Sequence, residues 1–484
     1  MKIILLRLPI AYGGSSLSRA ASPGGYLSTK LYCEWLVRYP PLGLLYYGSL
    51  LKQKGHTVIL LDGELMGYSV KNILSLTKKF SPDIICATVN IYNPQSEFEA
   101  LKILKNNTKS TLIARGHFPR LYPEETIANE HIDIALTGKG FNSICQTIEA
   151  IDQKQQLETV KGIIYRKENN TIVKTPEEEP FNFDNIPFPA REIIDNSFYT
   201  TALTKYNKFT TLTTSIGCPF SCTYCVDRHI PYQARSIENV ITEIEQCIND
   251  FGIKEITFLD STFSLDRKRS MQLCKEIINR NLKFKWAIRT RPDLVDDELL
   301  TAFVSAGCIS IHYGIESGDQ KILNNVNRKM KLEQIKRAVE LTVRKGMETL
   351  GFFMIGNDGE SIDSVKNTIN FARSLPLHFA QFNIAFPIPS SRIFEVTTQK
   401  LKMDIWIESY KGKNISREMC KPQNTNLSAE QLTYWANKAY RSFYFQPKQL
   451  WRLLTFKYAP HIIIRQFKIL LIHFRQLYNR LINI

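Results

Sequence analysis

The chain has 484 residues, 44% hydrophobic and 22% charged, which excludes a disordered or low-complexity protein and predicts roughly two to four domains. Ten cysteines are too sparse for a disulfide scaffold, and three of them cluster, which points to a reducing compartment. The net charge is +16, but eight Lys/Arg and no Asp/Glu between Arg441 and Ile484 put half of that excess in the last 44 residues, so a basic tail is expected rather than a wholly basic protein.

Met1 to Ile10 is too short and lacks the cleavage site for a signal peptide; Lys2 to Arg7 reads as a buried strand. No run of about 18 apolar residues appears, so no spanning helix is expected. Pro40 to Gly55 reads as a helix that starts at prolines and stops at a glycine, and His56 to Asp62 as the next strand. Val70 to Phe80 is helical, Asp83 to Thr88 a strand, and Phe98 to Asn106 a helix. Thr111 to Ala114 and Ile132 to Leu136 complete the strands. The alternation predicts an α/β, doubly wound parallel sheet over residues 1–150. Ligands of such sheets sit at the carboxyl ends of strands. Here those ends carry Asp62, Thr88-Val-Asn90, Gly116-His117 and Thr137-Gly138-Lys139-Gly140, residue types that ordinary turns also favour.

Pro40-Pro-Leu-Gly-Leu, Lys54-Gly-His-Thr-Val, Pro82-Asp-Ile, Gly116-His-Phe-Pro119 with Pro123-Glu-Glu, and Thr137-Gly-Lys-Gly140 follow one another in an order that resembles the cobalamin-binding domain found before many radical S-adenosylmethionine (SAM) domains. The resemblance implies a Rossmann-like fold, with Thr88, Asn90, Gly116, His117, Gly138 and Gly140 as cobalamin contacts. Arg115 stands where a second glycine is common, and Lys139 and Phe141 replace acidic residues often seen around the late glycines. The Asp-x-His-x-x-Gly signature of a cobalt-ligating histidine is absent, so His117 is expected as a wall or hydrogen-bonding residue.

Residues 151–205 read as a hairpin, Val160 to Lys174 with its turn at Asn169-Asn170, and an acidic, proline-rich connector from Thr175 to Pro189 to which no chemistry is assigned. A β-rich run, Thr210 to Ile216, then leads through Gly217 into Cys218-x3-Cys222-x2-Cys225. Three thiols in one short loop can converge on one metal centre, and thiolates suit iron–sulfur clusters or zinc. A structural zinc wants four ligands, and His229 could complete one. Buried or disulfide-bonded cysteines are the bland alternative.

The Cys218, Cys222, Cys225 spacing, with Tyr224 before the last cysteine, resembles the radical SAM superfamily. The resemblance implies that the three cysteines hold a [4Fe–4S] cluster whose fourth iron chelates SAM. Beyond them the alternation resumes: helices Ser236 to Asp250, Asp266 to Arg280, Val295 to Ala306, Leu332 to Arg344 and Ser361 to Ser374, and strands Glu255 to Asp260, Lys283 to Arg289, Cys308 to Glu316, Glu348 to Ile355 and Phe379 to Ile384. With the strand before the cysteines these make six β/α units over residues 206–395, a partial TIM barrel with its chemistry at the carboxyl ends of strands. Those ends are polar: Asp260-Ser261-Thr262, Arg289-Thr-Arg291, Gly314-Ile-Glu316-Ser317-Gly318 and Gly356-Asn-Asp-Gly-Glu360. Glu316 could accept from ribose hydroxyls or an amine, Arg291 could pair with a carboxylate, or the two could merely neutralise one another. These places match where radical SAM enzymes contact SAM, which implies Tyr224, Asp260, Ser261, Arg291, Gly314, Glu316 and Ser317 as contacts. Asn357-Asp358 departs from the Pro-Gly pair common in that loop. Cys247, Cys274 and Cys308 read as core residues.

Residues 396–484 are expected to be mainly helical. Ser428 to Gln446 is an aromatic helix, read as core or as a cleft lining. Residues 461–484 alternate apolar runs with Arg465, Lys468, Arg475 and Arg480, fit for an anionic membrane surface or for an ordinary docking helix. No helix-turn-helix or finger pattern accompanies the basic charge, so no nucleic-acid partner is expected.

The layout is similar to class B, cobalamin-dependent radical SAM methyltransferases and to the group with the anaerobic Mg-protoporphyrin ester cyclase and hopanoid-pathway enzymes. The resemblance implies an enzyme that cleaves SAM to a 5′-deoxyadenosyl radical and, with cobalamin, methylates an unactivated carbon. It implies a flavodoxin- or ferredoxin-type electron donor and a small-molecule substrate. The alternatives are radical cyclisation, oxidation or rearrangement without methyl transfer, and, from another class, an iron–sulfur redox or sensor protein at a membrane. The basic, aromatic tail makes a lipid or isoprenoid substrate attractive, with a cytoplasmic enzyme peripheral to the membrane.

Overall fold

The computed structural model describes residues 1–9, 37–138, 140–201, 203–206 and 208–449. They fall into two compact units, one of residues 1–9 and 40–198, the other of residues 37–39 and 199–449.

The first unit is built on one seven-stranded sheet. Strands Thr57–Asp62, Lys2–Arg7, Ile84–Thr88, Thr111–Arg115 and Ile134–Leu136 lie side by side in that order, all parallel. Their continuous apolar runs are what a sheet covered on both faces requires: Ile3 to Leu6 and Ile84 to Cys86 are fully buried. Counted along the chain the order is 2-1-3-4-5, so its switch point falls between Lys2–Arg7 and Ile84–Thr88. The hairpin Ile163–Arg166 and Ile172–Lys174 adds antiparallel to Ile134–Leu136, with Asn170 at φ 65° in its turn. It is thus part of this sheet and not of a separate linker. Helices Leu42–Gln53, Val70–Phe80 and Pro94–Asn107 stand where sequence places them, within a few residues. Phe141–Asp152 is a further helix that sequence reading passes over; it has no capping side chain of its own.

The second unit is a six-stranded parallel sheet in chain order: Phe209–Leu212, Glu255–Phe258, Lys285–Thr290, Cys308–Glu316, Glu348–Ile355 and Phe379–Ile384. It is the open partial barrel expected from six β/α units. Trp286 packs among Phe258, Phe263 and Phe303, and its Nε1 donates to Ala306 O at 2.7 Å. Cys247, Cys274 and Cys308 lie in the same core. At the amino ends of the strands Lys205 pairs with Glu348, both buried, and Glu255 accepts from the Lys205 and Tyr206 N–H groups. The expected strand from Thr210 to Ile216 stops at Leu212, and Ser215–Ile216 instead pairs antiparallel with Gln233–Ala234, which closes the cysteine loop on itself.

The Ala429–Tyr444 helix is core: Leu432, Trp435, Ala436, Ala439 and Phe443 join the barrel's apolar cluster. The Tyr444 hydroxyl meets the last strand of the sheet, donating to Ala380 O at 2.8 Å and accepting from Ala380 N at 3.1 Å. No helix among the described residues is long and apolar enough to cross a membrane. The basic segment 461–484 lies outside the described residues.

Candidate active site

Gly217 turns the chain into the cysteine loop at φ 80°, where a Cβ would lie 2.1 Å from Pro231 O, so no larger residue fits without opening the loop. Cys218 N donates to Ile230 O at 3.1 Å, Cys225 N to Cys222 O at 3.1 Å, and Thr223 N to Val326 O at 3.2 Å. These bonds tie the loop to Ile230 and Val326 and close its last turn. All three thiols are free; Cys218 and Cys222 are buried and Cys225 half-buried. Each sulfur has a polar neighbour. Thr262 Oγ1 lies 3.8 Å from Cys218 Sγ, Arg328 Nη1 donates to Cys222 Sγ at 3.5 Å, and Asp227 N donates to Cys225 Sγ at 3.4 Å.

Hydrogen bonds and a positive charge at the sulfurs favour thiolates, as a cluster requires. Burial first, and then the charges of Asp227 and the other two cysteines, push the Cys225 thiol up to about 12 against the pull of the Asp227 N–H. His229 is exposed with φ 65°, and among the described residues no three His, Cys, Asp or Glu side chains are gathered as ligands of a single ion. The arrangement therefore fits a cluster, in which each cysteine takes its own iron, better than a zinc shared by all three.

Arg328 joins this loop to the end of the Cys308–Glu316 strand. Its Nη2 donates to Gly314 O at 2.5 Å and lies 3.9 Å from Glu316 Oε1. Glu316 takes a left-handed φ of 72° as the strand bulges, a strained conformation for a side-chain-bearing residue. Burial raises its carboxyl above the usual range, while Arg328 and a hydrogen bond with Tyr224 pull it down. Tyr224 is likewise raised by burial, and packs beside Met354, Ala385 and Ile393. Tyr224, Gly314, Glu316, Arg328 and Cys222 thus form one group. Arg328 is a residue that sequence reading missed.

The other residues expected at SAM are placed differently. Ser261 Oγ donates to Asp227 Oδ2 at 2.8 Å and so joins the cysteine loop. Arg291 is held by Asp293 through two bonds of 2.9 and 2.8 Å, donates to Arg328 O at 2.8 Å, and stacks 3.8 Å over Phe220 in the cysteine loop. Asp260 is fully buried and accepts from Thr214 N at 2.7 Å, Thr214 Oγ1 at 2.5 Å and Ser215 Oγ at 2.8 Å, which makes it a strut for the strand before the cysteines. Ser317 is buried with its Oγ 3.0 Å from Thr368 Oγ1, on the helix side of the sheet and apart from Glu316. In the loop Gly356 to Glu360, Glu360 accepts from the Gly356 and Asn357 N–H groups and so ties the turn to its own end.

In the first unit, the residues expected at cobalamin stand at the carboxyl ends of the strands, as that reading requires. Thr88 accepts from Arg115 Nη1 at 3.3 Å, and Asn90 donates through N and Nδ2 to the buried Glu97, at 2.6 and 3.1 Å. Gly116 has φ 117°, and a Cβ there would meet Val89 O at 2.7 Å; His117 beside it is exposed. The later turn is filled by the chain itself. Glu178 accepts from Gly140 N, Asn142 N and Ser143 N at 2.7, 2.7 and 3.0 Å, and a Cβ on Gly138 would lie 2.8 Å from its carboxylate. A Cβ on Gly140 would meet the Tyr47 hydroxyl at 2.1 Å, and Arg115 lies 4.8 Å over the Tyr47 ring. Thr88 and Asn90 are thus engaged by Arg115 and Glu97, and Gly138 and Gly140 surround a connector carboxylate.

The family profile of the radical SAM superfamily matches residues 212–372. An uncharacterised methyltransferase of Pyrococcus horikoshii is 29% identical over 420 residues, 85% of this chain and 89% of the relative. The anaerobic magnesium-protoporphyrin IX monomethyl ester cyclase of Rubrivivax gelatinosus is 28% identical, over 75% of this chain and 67% of its own. Among solved structures, the cobalamin-dependent SAM radical enzyme OxsB with aqua-cobalamin bound has the same fold at a TM-score of 0.70 and 17% identity, covering 97% of this chain and 72% of that one. The three-cysteine loop at the mouth of the six-stranded parallel barrel thus lies within the stretch, residues 212–372, that is similar to the radical SAM superfamily, and the chain is an enzyme.

Proposed function

We propose that this enzyme is a cobalamin-dependent radical SAM methyltransferase acting on an unactivated carbon of a small molecule. The observation that carries the reading is the set of three free thiols in one hydrogen-bonded loop, each sulfur given a polar neighbour, in a chain that also carries a parallel sheet with a 2-1-3-4-5 strand order. The methyltransferase relative and the shared fold with a cobalamin-bound enzyme support it.

When bound, the cluster and SAM supply a carbon radical that takes hydrogen from the substrate, and cobalamin supplies a methyl group. The chain's own part is to hold and orient. Cys218, Cys222 and Cys225 hold the cluster, and Arg328 offsets their charge. Glu316, Gly314 and Tyr224 would border SAM, with Glu316 available to accept from ribose hydroxyls or the amine, while Ser261 and Arg291 would brace the cysteine loop beside it. Thr88, Asn90, Gly116 and His117 would hold cobalamin, with no histidine on cobalt.

A second reading, radical cyclisation or oxidation without methyl transfer, is favoured by the ester cyclase relative. The basic tail, if it reaches an anionic surface, brings the enzyme to a lipid or isoprenoid substrate on the cytoplasmic side, with a flavodoxin- or ferredoxin-type donor. Anaerobic reconstitution with iron, cobalamin and SAM under strong reductant tests the proposal. Formation of 5′-deoxyadenosine together with S-adenosylhomocysteine supports methyl transfer. Deoxyadenosine alone supports the second reading, and no SAM turnover overturns both.

A further inference from the structure

Arg289 and His312 are paired in register on neighbouring parallel strands of the barrel. Side chains alternate along a strand. Trp286, Ile288, Ile311 and Tyr313 enter the core between sheet and helices, so Arg289 and His312 point to the opposite face, the barrel interior. Phe352 stands on that face with its ring edge-on to His312 at 6.2 Å, and Gln381 is in register with Phe352.

This pair is not satisfied by the protein. Arg289 Nε is buried with no hydrogen-bond partner, and Arg289 Nη2 reaches only the neutral Tyr39 hydroxyl, at 3.3 Å. His312 is 5% exposed, and its Nε2 is also buried without a partner. Among the described residues no carboxylate pairs with Arg289, whereas Arg291 has Asp293 and Arg328 has Glu316. Arginine cannot shed its charge, and this half-buried guanidinium, its Nε shut off from solvent, lacks a counterion among the described residues. His312 does not add to the charge: burial first, and Arg289 second, lower its pKa to about 3, so the ring is neutral. The pair therefore sets one fixed positive charge and two unpartnered nitrogen atoms side by side on adjacent strands. Their common face, adjacent strands and neighbouring positive charge suit one oxyanion from outside the chain, which would meet both nitrogens at once.

We infer that Arg289 and His312 form a subsite in the barrel for an anionic group of the substrate, a carboxylate or phosphate. The guanidinium fork meets either oxyanion geometry, and the neutral imidazole offers one N–H beside it. The inference rests on the reading above only in taking the barrel interior as the substrate's place. SAM also carries a carboxylate, so the source of the anion is part of the test.

The test uses the anaerobic full-length enzyme with its cluster, without and then with SAM. The probes are 4-fluorobenzoate, followed by ¹⁹F line broadening, and phenylphosphonate, followed by ³¹P, with 4-fluorobenzamide as the neutral control. The wild type should bind one of the anions and not the amide, and bind it equally with SAM present. Arg289→Gln should weaken anion binding by at least about tenfold and His312→Asn by severalfold, with SAM affinity unmoved. If Arg289→Gln fails to load its cluster, Arg289→Lys and His312→Asn carry the comparison. Anion binding that ignores both positions, or no anion binding by the wild type, overturns the inference. So does displacement of the probe by SAM with a matching loss of SAM affinity in Arg289→Gln, because the occupant is then SAM. Failure of the wild type to cleave SAM would instead overturn the functional reading and leave this binding result standing.

Discussion

Arg328 Nη1 donates to Cys222 Sγ at 3.5 Å across 106 residues of sequence, while Nη2 of the same guanidinium donates to Gly314 O. A donor on a ligating sulfur, with a positive charge behind it, stabilises the reduced cluster more than the oxidised one. Arg328→Gln should therefore lower the cluster's reduction potential. Loss of one charge-assisted bond corresponds to about 60 mV or more for a one-electron couple. A redox titration followed by electron paramagnetic resonance reads the shift directly. An unchanged potential in a fully loaded variant would reduce Arg328 to a purely structural residue.

Removing one ligand tests the loop itself. Cys222→Ala should abolish cluster binding and with it SAM cleavage, whereas Cys274→Ala, in the barrel core, should keep both and lose only stability. Iron content and the visible spectrum separate the two. Turnover retained by Cys222→Ala would sink the site assignment.

Glu360 gives a pH signature. It is fully buried, and burial pushes its carboxyl up to about 8 against the help of the Gly356 and Asn357 N–H groups. Its Oε1 has no partner, as suits a protonated acid. In the unfolded chain it ionises near the usual ~4.3. Between those values the native state binds more protons than the unfolded one, so this group's contribution to stability is greatest below that window. It is lost as pH rises, by at most about 1.4 kcal/mol per pH unit. Glu360→Gln should flatten the fall of melting temperature between pH 6 and 8.5, a range spanning the folded value of about 8. Parallel curves for variant and wild type would show that Glu360 is already ionised.

Glu178 supplies the cap that the Phe141–Asp152 helix lacks. Glu178→Ala leaves three N–H groups to water and should cost about 1–2 kcal/mol in the first unit. Hydrogen exchange should show the loss as faster exchange at Asn142 and Ser143, with the cysteine loop unaffected.

Much of this was legible in sequence for identifiable reasons. The cysteine loop is local, so three residues within eight positions announce it. Leu332–Arg344, Cys308–Glu316 and Glu348–Ile355 end where expected because buried runs and turn residues bound them sharply. Arg328 was not legible, because nothing local says which distant residue a loop will present to a thiolate. Glu178 sat in a visibly acidic run, but which carboxylate reaches a helix end is decided by the path of the connector. Arg289 was visible as a polar strand end, but its partner His312 was not, because nothing local says which residue of the next strand lies in register with it. The tail that carried the membrane expectation lies outside the described residues.

The Tyr444 hydroxyl, set against both polar groups of Ala380, has a meaning for solubility. A parallel sheet that does not close ends on a strand with unpaired backbone groups, and such an edge invites another chain to add to it. One side chain from the Ala429–Tyr444 helix occupies part of that template as a strand would. The barrel is thereby protected from edge-to-edge aggregation by a residue far from any chemistry, and Tyr444→Phe should reveal its worth as precipitation at high concentration rather than as lost turnover.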